Sequence, residues 1–250
     1  MVEIRNSSAA EIEHFNRLAS RWWDADGEMR TLHDLNPARL QWIESVAGLA
    51  GQRVLDVGCG AGLLAEAMAR RGALVTGIDM AADTLAVARL HLRESPELAI
   101  DYRETTAEEL ARHSPGSFDV VTCMELLEHV PDPARLVAAC ATLAVPGGSV
   151  LFSTINRTVR AFTGAIVAAE HLARLIPLGT HRHDQFIRPS ELDAWARHAG
   201  MTLVCLRGGS YNPLARTFTL SGDTRVNYFA HFRTRLQAAN PKLPAGDPVA

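Results

Sequence analysis

Arg53-Val54-Leu55-Asp56-Val57-Gly58-Cys59-Gly60-Ala61-Gly62 places three glycines at alternate positions, directly after an apolar run and directly before Leu63-Leu64-Ala65. The run before the glycines predicts a strand over 53–57, and 62–71, closed by Gly72, predicts a helix. Working outward, the pattern keeps alternating. A strand is expected at 74–78, a helix at 82–94 ending before Pro96, and a strand at 98–103. A short helix at 107–113, a strand at 118–123, a helix from Pro133 to Ala144, a Pro146-Gly147-Gly148 turn and a strand at 149–154 follow. Strands separated by helices of this length require right-handed crossovers, and so a mostly parallel sheet covered by helices on both faces. Upstream, Ile12, Phe15, Leu18 and Trp22 recur at helical spacing, and Asn36-Pro37 has the form of a cap followed by a first helical residue. Two helices over about 10–49 are therefore expected before the first strand. Downstream, an Ala- and Ile-rich stretch within about 158–185 interrupts the alternation as an insertion. Ser190 with Asp193 resembles a capping box for a helix ending at Gly200, and 201–207 with 216–220 alternates as an antiparallel hairpin. The expectation is one α/β domain over 1–236 with a seven-stranded, Rossmann-like sheet ending in that hairpin. A flexible tail is expected at 237–250, where Pro241, Pro244 and Pro248 stand among small residues.

Composition excludes several classes of function. Hydrophobic residues make up 47% of the 250 and charged residues 21%, the proportions of a folding globular chain. With 25 Lys and Arg against 28 Asp and Glu the net charge is −3, so no global positive field exists to hold nucleic acid. Cys59, Cys123, Cys140 and Cys205 form no C-x-x-C, and they read as buried thiols of a reducing compartment. Neither a signal peptide nor about 18 consecutive apolar residues is seen, so the expected location is cytoplasmic.

The glycine turn lies where open α/β sheets bind nucleotides, outside the carboxyl end of the first parallel strand. It is Asp-x-Gly-x-Gly-x-Gly rather than the G-x-G-x-x-G of a dinucleotide site, and the Asp56 carboxylate, two residues before the first glycine, would repel a pyrophosphate. It would attract a cation, and S-adenosylmethionine carries both a sulfonium and an amino group. At the end of the second strand, Asp79 could accept both ribose hydroxyls of an adenosine. The plainer reading is a tight turn with Asp79 capping the next helix.

These stretches resemble the class I S-adenosylmethionine-dependent methyltransferases and, more narrowly, the ubiquinone biosynthesis O-methyltransferase family, which methylates ring hydroxyls of polyprenylated phenol and catechol intermediates. The resemblance rests on Arg21-Trp22-Trp23-Asp24, Leu32-His33-Asp34-Leu35-Asn36-Pro37-Ala38-Arg39-Leu40, the glycine run and Asp119 to Pro133 with its Met124-Glu125-Leu126-Leu127-Glu128-His129. It continues through Phe152 to Arg157, Gly179-Thr180-His181 and Val226-Asn227-Tyr228, and so covers about 12–232. The glycine run identifies only the superfamily, and Arg182 to Gln185 departs from the family pattern. The resemblance places cofactor binding on Arg39, Gly58, Asp79 and Met124, and Asp56, Gly60 and Met80 complete the expected set. Arg39 would pair with the methionine carboxylate, and Met124 would pack near the transferring methyl.

A phenol, with a pKa of about 10, needs a base or a metal to become the nucleophilic phenolate. Glu125, Glu128 and His129, at i, i+3 and i+4, would share a face if their segment were helical. They are the expected catalytic residues, with His129 as general base, and also the expected ligands of a divalent Mg²⁺ or Zn²⁺. A prenylated substrate lies in the bilayer. The stretch from Arg160 to Ile176, apolar over much of its circumference with basic ends, suits peripheral contact with the inner membrane, where other ubiquinone-biosynthesis proteins would be partners. Two other readings stay open: a methyltransferase for another small aromatic or amine, and a protein that holds adenosylmethionine without turnover.

Overall fold

The structure, a computed structural model, describes residues 6–158 and 186–236. The insertion expected within 158–185, the interfacial stretch 160–176 and the tail 237–250 therefore lie outside the described residues, apart from Thr158. Eight strands form one sheet: β1 (Arg53–Val57), β2 (Leu74–Asp79), β3 (Ile100–Glu104), β4 (Phe118–Met124), β5 (Ala144–Ile155), β6 (Met201–Asn212), β7 (Thr217–Ser221) and β8 (Asn227–Thr234). Their order is β3-β2-β1-β4-β5-β8-β6-β7, parallel through β5 and antiparallel beyond it. Strand order reverses between β1 and β4, and such a reversal opens a crevice at their carboxyl ends.

The central strands are apolar on both sides because both faces are covered. Leu55, Val57, Val121 and Cys123 pack under α5 (Ala107–His113), α6 (Pro133–Leu143) and α7 (Pro189–His198). Val54, Val75 and Val120 pack under α2 (Arg30–Ala47), α3 (Leu63–Ala69) and α4 (Ala82–Leu92).

Three expectations are corrected. The Asn36-Pro37 pair does not open a helix; α2 begins at Arg30 and carries Pro37 inside it. An internal proline costs about 3 kcal/mol, but burial of Leu35, Trp42 and Ile43 on one face contributes about 1.5–3 kcal/mol each and prevails. The helix expected from Ser190 starts at Pro189, with Arg188 as its cap and the Glu191 carboxylate accepting from the Arg188 N–H at 2.8 Å. Among the described residues the sheet has eight strands rather than seven. The added strand, β8, inserts between β5 and β6, so the hairpin partner of β7 is the 208–212 half of β6 while 201–208 pairs with β8. Tyr228, Phe229, Ala230, His231 and Phe232 are all buried, and a strand covered on both faces shows no alternation by which to recognise it.

An N-terminal extension covers the glycine turn. It comprises α1 (Ala9–Leu18), one 3-10 turn (Ala19–Arg21) and Trp22, which packs with Leu18, Met29 and Ala61. Trp23 stacks flat on His91 at 3.4 Å and donates from its indole to the Ala61 carbonyl at 3.1 Å. Ahead of α1, the Asn6 amide donates to Glu108 at 2.7 Å and to the Asp132 carbonyl at 2.8 Å, and accepts from the Asp132 N–H at 2.8 Å. These three bonds contribute about 2–3 kcal/mol locally. Asn6→Ala is therefore expected to speed thermolysin cleavage of the N-terminal segment by about ten-fold or more while unfolding of the sheet shifts by only about a few degrees. Unchanged cleavage would place the anchor of α1 elsewhere.

Candidate active site

The turn after β1 needs glycine because φ is +73° at Gly58, +54° at Gly60 and +89° at Gly62, the left-handed region that side chains disfavour. Space forbids side chains as well. A Cβ on Gly60 would lie 2.4 Å from Trp22, and one on Gly58 would lie 2.8 Å from Leu126. The turn is held by the N–H groups of Gly58 and Cys59, which both donate to the Ile78 carbonyl at 2.8 and 3.0 Å.

Two carboxylates flank it. Asp56, at the end of β1, accepts from the Thr122 hydroxyl at 2.8 Å, and burial pushes its pKa up to about 6 against the pull of Thr122 and Arg39. Asp79, at the end of β2, accepts from the Gly60 N–H at 2.9 Å and the Ala81 N–H at 2.8 Å, and burial raises its pKa despite these donors. The plainer reading of Asp79 is thus partly right, since it does organise the turn before α4. With the Met80 N–H as a further donor, the carboxylate still keeps part of its accepting capacity, and the residue lines the cleft.

Opposite, Arg39 on α2 is 5% exposed and donates to Glu125 at 2.6 Å and to the Asn36 side chain at 2.9 Å. Its Nε has no hydrogen-bond partner among the described residues. Met124 closes β4 against the cleft. Glu125 follows with φ +51°, its N–H bonded to the Ser153 carbonyl and hydroxyl oxygens, each at 3.1 Å, and its carboxylate accepting from the Ser153 hydroxyl at 2.5 Å.

The shared helical face expected for Glu125, Glu128 and His129 does not form. Glu125 is left-handed and only a 3-10 turn, Leu127–His129, follows. The three side chains consequently go to three separate partners. Glu125 faces Arg39, buried Glu128 accepts from the Thr154 hydroxyl at 2.7 Å, and His129 pairs through Nδ1 with Glu11 of α1 at 3.0 Å. Burial raises the pKa of Glu128. Burial pulls His129 the other way, but the carboxylates of Glu11, Glu128 and Glu125 prevail and raise its pKa. As they stand the three do not fit a metal centre, and among the described residues no group of three His, Cys, Asp or Glu side chains could hold a metal ion.

The cleft gathers Arg39, Asp56, Gly58, Gly60, Asp79, Met80, Met124, Glu125 and His129, and leaves Glu128 behind its wall. It adds Glu11, Ile12, Phe15 and Trp22 from the extension, which sequence reasoning missed. Phe15 sets its ring edge-on to His129 at 5.3 Å. No local pattern marks Glu11, because its partner lies 118 residues away. Among the described residues along the wall, Asp56, Asp79, Glu125, Glu11 and Glu108 outnumber the one guanidinium, that of Arg39, so this lining favours a ligand carrying positive charge.

The methyltransferase domain family matches residues 28–206. The ubiquinone biosynthesis O-methyltransferase of Pseudomonas aeruginosa is 55% identical over 225 residues, 90% of this chain and 97% of that protein. That of Stutzerimonas stutzeri is 56% identical over the same shares of both chains, and that of Aromatoleum aromaticum 54% over 90% and 96%. Among solved structures, magnesium protoporphyrin IX methyltransferase from Synechocystis with bound SAH superposes with a TM-score of 0.67 at 18% identity, over 90% of this chain and 98% of that one. A SAM-dependent methyltransferase from Thermotoga maritima gives 0.64 at 17%, over 90% and 99%. These two show the fold.

Below about pH 6 the buried Asp56 holds a proton and is neutral; above it, the carboxylate can receive a cation. Calorimetry with S-adenosylmethionine from about pH 5 to about 8 is expected to show affinity rising through about 6, with proton release on the acid side. Asp56→Asn is expected to weaken binding about ten-fold or more and to flatten the rise.

Proposed function

The chain belongs to the ubiquinone biosynthesis O-methyltransferase family, and on that footing we propose that it moves the methyl group of S-adenosylmethionine onto ring hydroxyls of polyprenylated phenols and catechols, of the 2-polyprenyl-6-hydroxyphenol and 3-demethylubiquinol type. The observation that carries this reading is the pair of carboxylates, Asp56 buried and Asp79 half-buried, on either side of a glycine turn that leaves its backbone bare. In this reading Asp56 faces the amino and sulfonium end of the cofactor and Asp79 takes the ribose hydroxyls. Gly58, Gly60 and Met80 line the nucleoside path, Arg39 receives the methionine carboxylate, and Met124 packs near the methyl.

The chemistry is an in-line displacement. An oxygen–carbon bond forms as the carbon–sulfur bond breaks, and the electron pair goes to sulfur, which the sulfonium has already made a good leaving group. The protein must hold the geometry, keep water out and take the acceptor proton. Ile12, Phe15 and Trp22 of the extension make an apolar roof over the cleft. His129, lining the same cleft, is the base in this reading, and its neutral form is the working one, so turnover rises with pH through its raised pKa.

A second reading keeps the same three residues as ligands of Mg²⁺ or Zn²⁺. It is favoured by Glu128 Oε1, which is buried with no hydrogen-bond partner among the described residues, and it needs Glu125 and His129 to leave Arg39 and Glu11. Excess chelator separates the two: turnover survives it if His129 works alone, and is lost and restored by the ion if a metal is required. Peripheral contact with the inner membrane through 160–176 and association with other ubiquinone-biosynthesis proteins belong to the same proposal, and among the described residues no helix is long and apolar enough to cross a membrane.

Transfer of label from methyl-labelled S-adenosylmethionine is expected to prenylated catechols and phenols, and not to amines or in the absence of an acceptor. His129→Ala is expected to lower kcat by about 10²–10⁴-fold. Transfer to amines alone would replace the assigned acceptor.

A further inference from the structure

Arg39 is the only Lys or Arg among the described residues lining the cleft, and two carboxylates have a claim on it. One belongs to Glu125, which holds the guanidinium at 2.6 Å. The other is the carboxylate of the cofactor, once the reading above is taken as the premise. We propose that Arg39, Glu125 and Ser153 form a relay that couples the two halves of the cleft. The cofactor carboxylate draws Arg39 away from Glu125, and Glu125, then held by Ser153 alone, becomes the hydrogen-bond acceptor for the incoming ring hydroxyl.

The geometry suits an exchange. The Arg39 side chain is only 6% exposed, yet its Nε has no partner among the described residues while its two terminal nitrogens serve Glu125 and Asn36. A carboxylate can take a guanidinium through Nε and one terminal nitrogen or through both terminal nitrogens, and in the second mode it displaces Glu125 from Nη1. Glu125 is the partner that lines the cleft and is itself negative, so a second carboxylate beside it repels it.

Glu125 has somewhere to remain when Arg39 lets go. Its backbone is fixed in the left-handed region by bonds to both oxygens of Ser153, and its carboxylate accepts from the same Ser153 hydroxyl. Ser153 is 1% exposed on β5, so this holder is rigid. It is a positioning residue, acting through Glu125. The consequence is ordered binding: before the cofactor arrives Glu125 is neutralised by Arg39 and offers the acceptor little, and afterwards its carboxylate faces the cleft uncompensated.

The test compares two occupants of the nucleoside site. S-adenosylhomocysteine has the carboxylate, and 5′-methylthioadenosine has the same nucleoside and thioether without it. Calorimetry of a short-prenyl catechol is expected to show binding tightened by about ten-fold or more when the protein is saturated with S-adenosylhomocysteine, and by less than about two-fold with methylthioadenosine. By reciprocity the catechol tightens S-adenosylhomocysteine by the same factor. Ser153→Ala is expected to keep its affinity for S-adenosylhomocysteine and the KM for S-adenosylmethionine, while the KM for the acceptor rises and the coupling falls. Equal tightening by both nucleosides, no tightening by either, or unchanged coupling in Ser153→Ala overturns the relay. Failure of S-adenosylhomocysteine to bind at all instead overturns the methyltransferase reading beneath it.

Discussion

A carboxylate buried at a strand end must find donors, and here that requirement builds the site. Asp79 accepts from the Gly60 N–H and so ties the end of β2 to the glycine turn after β1, while Asp56 accepts from Thr122 and ties β1 to β4. The three strands that border the crevice are therefore laced together at the level where a ligand enters. Because each acid satisfies only part of its accepting capacity this way, the same groups that hold the turn remain able to receive a ligand. Burial raises both of their pKa values, which makes the cleft sensitive to whether positive charge arrives.

The N-terminal extension converts this open crevice into an enclosed one. Trp22 stands against Gly60 so closely that no side chain could replace the glycine's hydrogen, and Trp23 is clamped between His91 and the Ala61 carbonyl. The extension also brings Glu11 to His129, so a residue of the first helix raises the basicity of an imidazole carried by the turn after β4. The roof over the cleft and the orientation of the proposed base are thus one structural element. Anchoring that element through Asn6 to the segments after β3 and β4 couples closure of the cleft to the sheet beneath.

The wall of the cleft that carries Arg39 and Glu125 is governed by charge balance. One guanidinium faces several carboxylates, and its present commitment to Glu125 leaves one of its own donors without a partner among the described residues. An arrangement of this kind responds to any added carboxylate, and the proposed coupling between the two halves of the cleft rests on that response.

How much of this could be read without coordinates follows from the range of each interaction. The glycine run, the acids after β1 and β2 and the strand–helix alternation are local: each depends on a few neighbours and on periodicity, and the parallel sheet and the nucleotide crevice follow from them. The resemblance in residues 124–129 likewise pointed to a wall of the cleft, which Met124, Glu125 and His129 line. What the pattern misjudged depended on distant partners. β8 lost its alternation because both of its faces are covered, and Pro37 sits inside α2 because burial outweighs its local cost. Glu125, Glu128 and His129 parted because a left-handed residue and a 3-10 turn stand where a helix was expected. Glu11 carries no motif, and Trp22 and Ser153 lie in stretches that carry the resemblance without a role being legible there, since the contacts of all three exist only when chain segments tens of residues apart, or more than a hundred in the case of Glu11 and His129, are folded against one another.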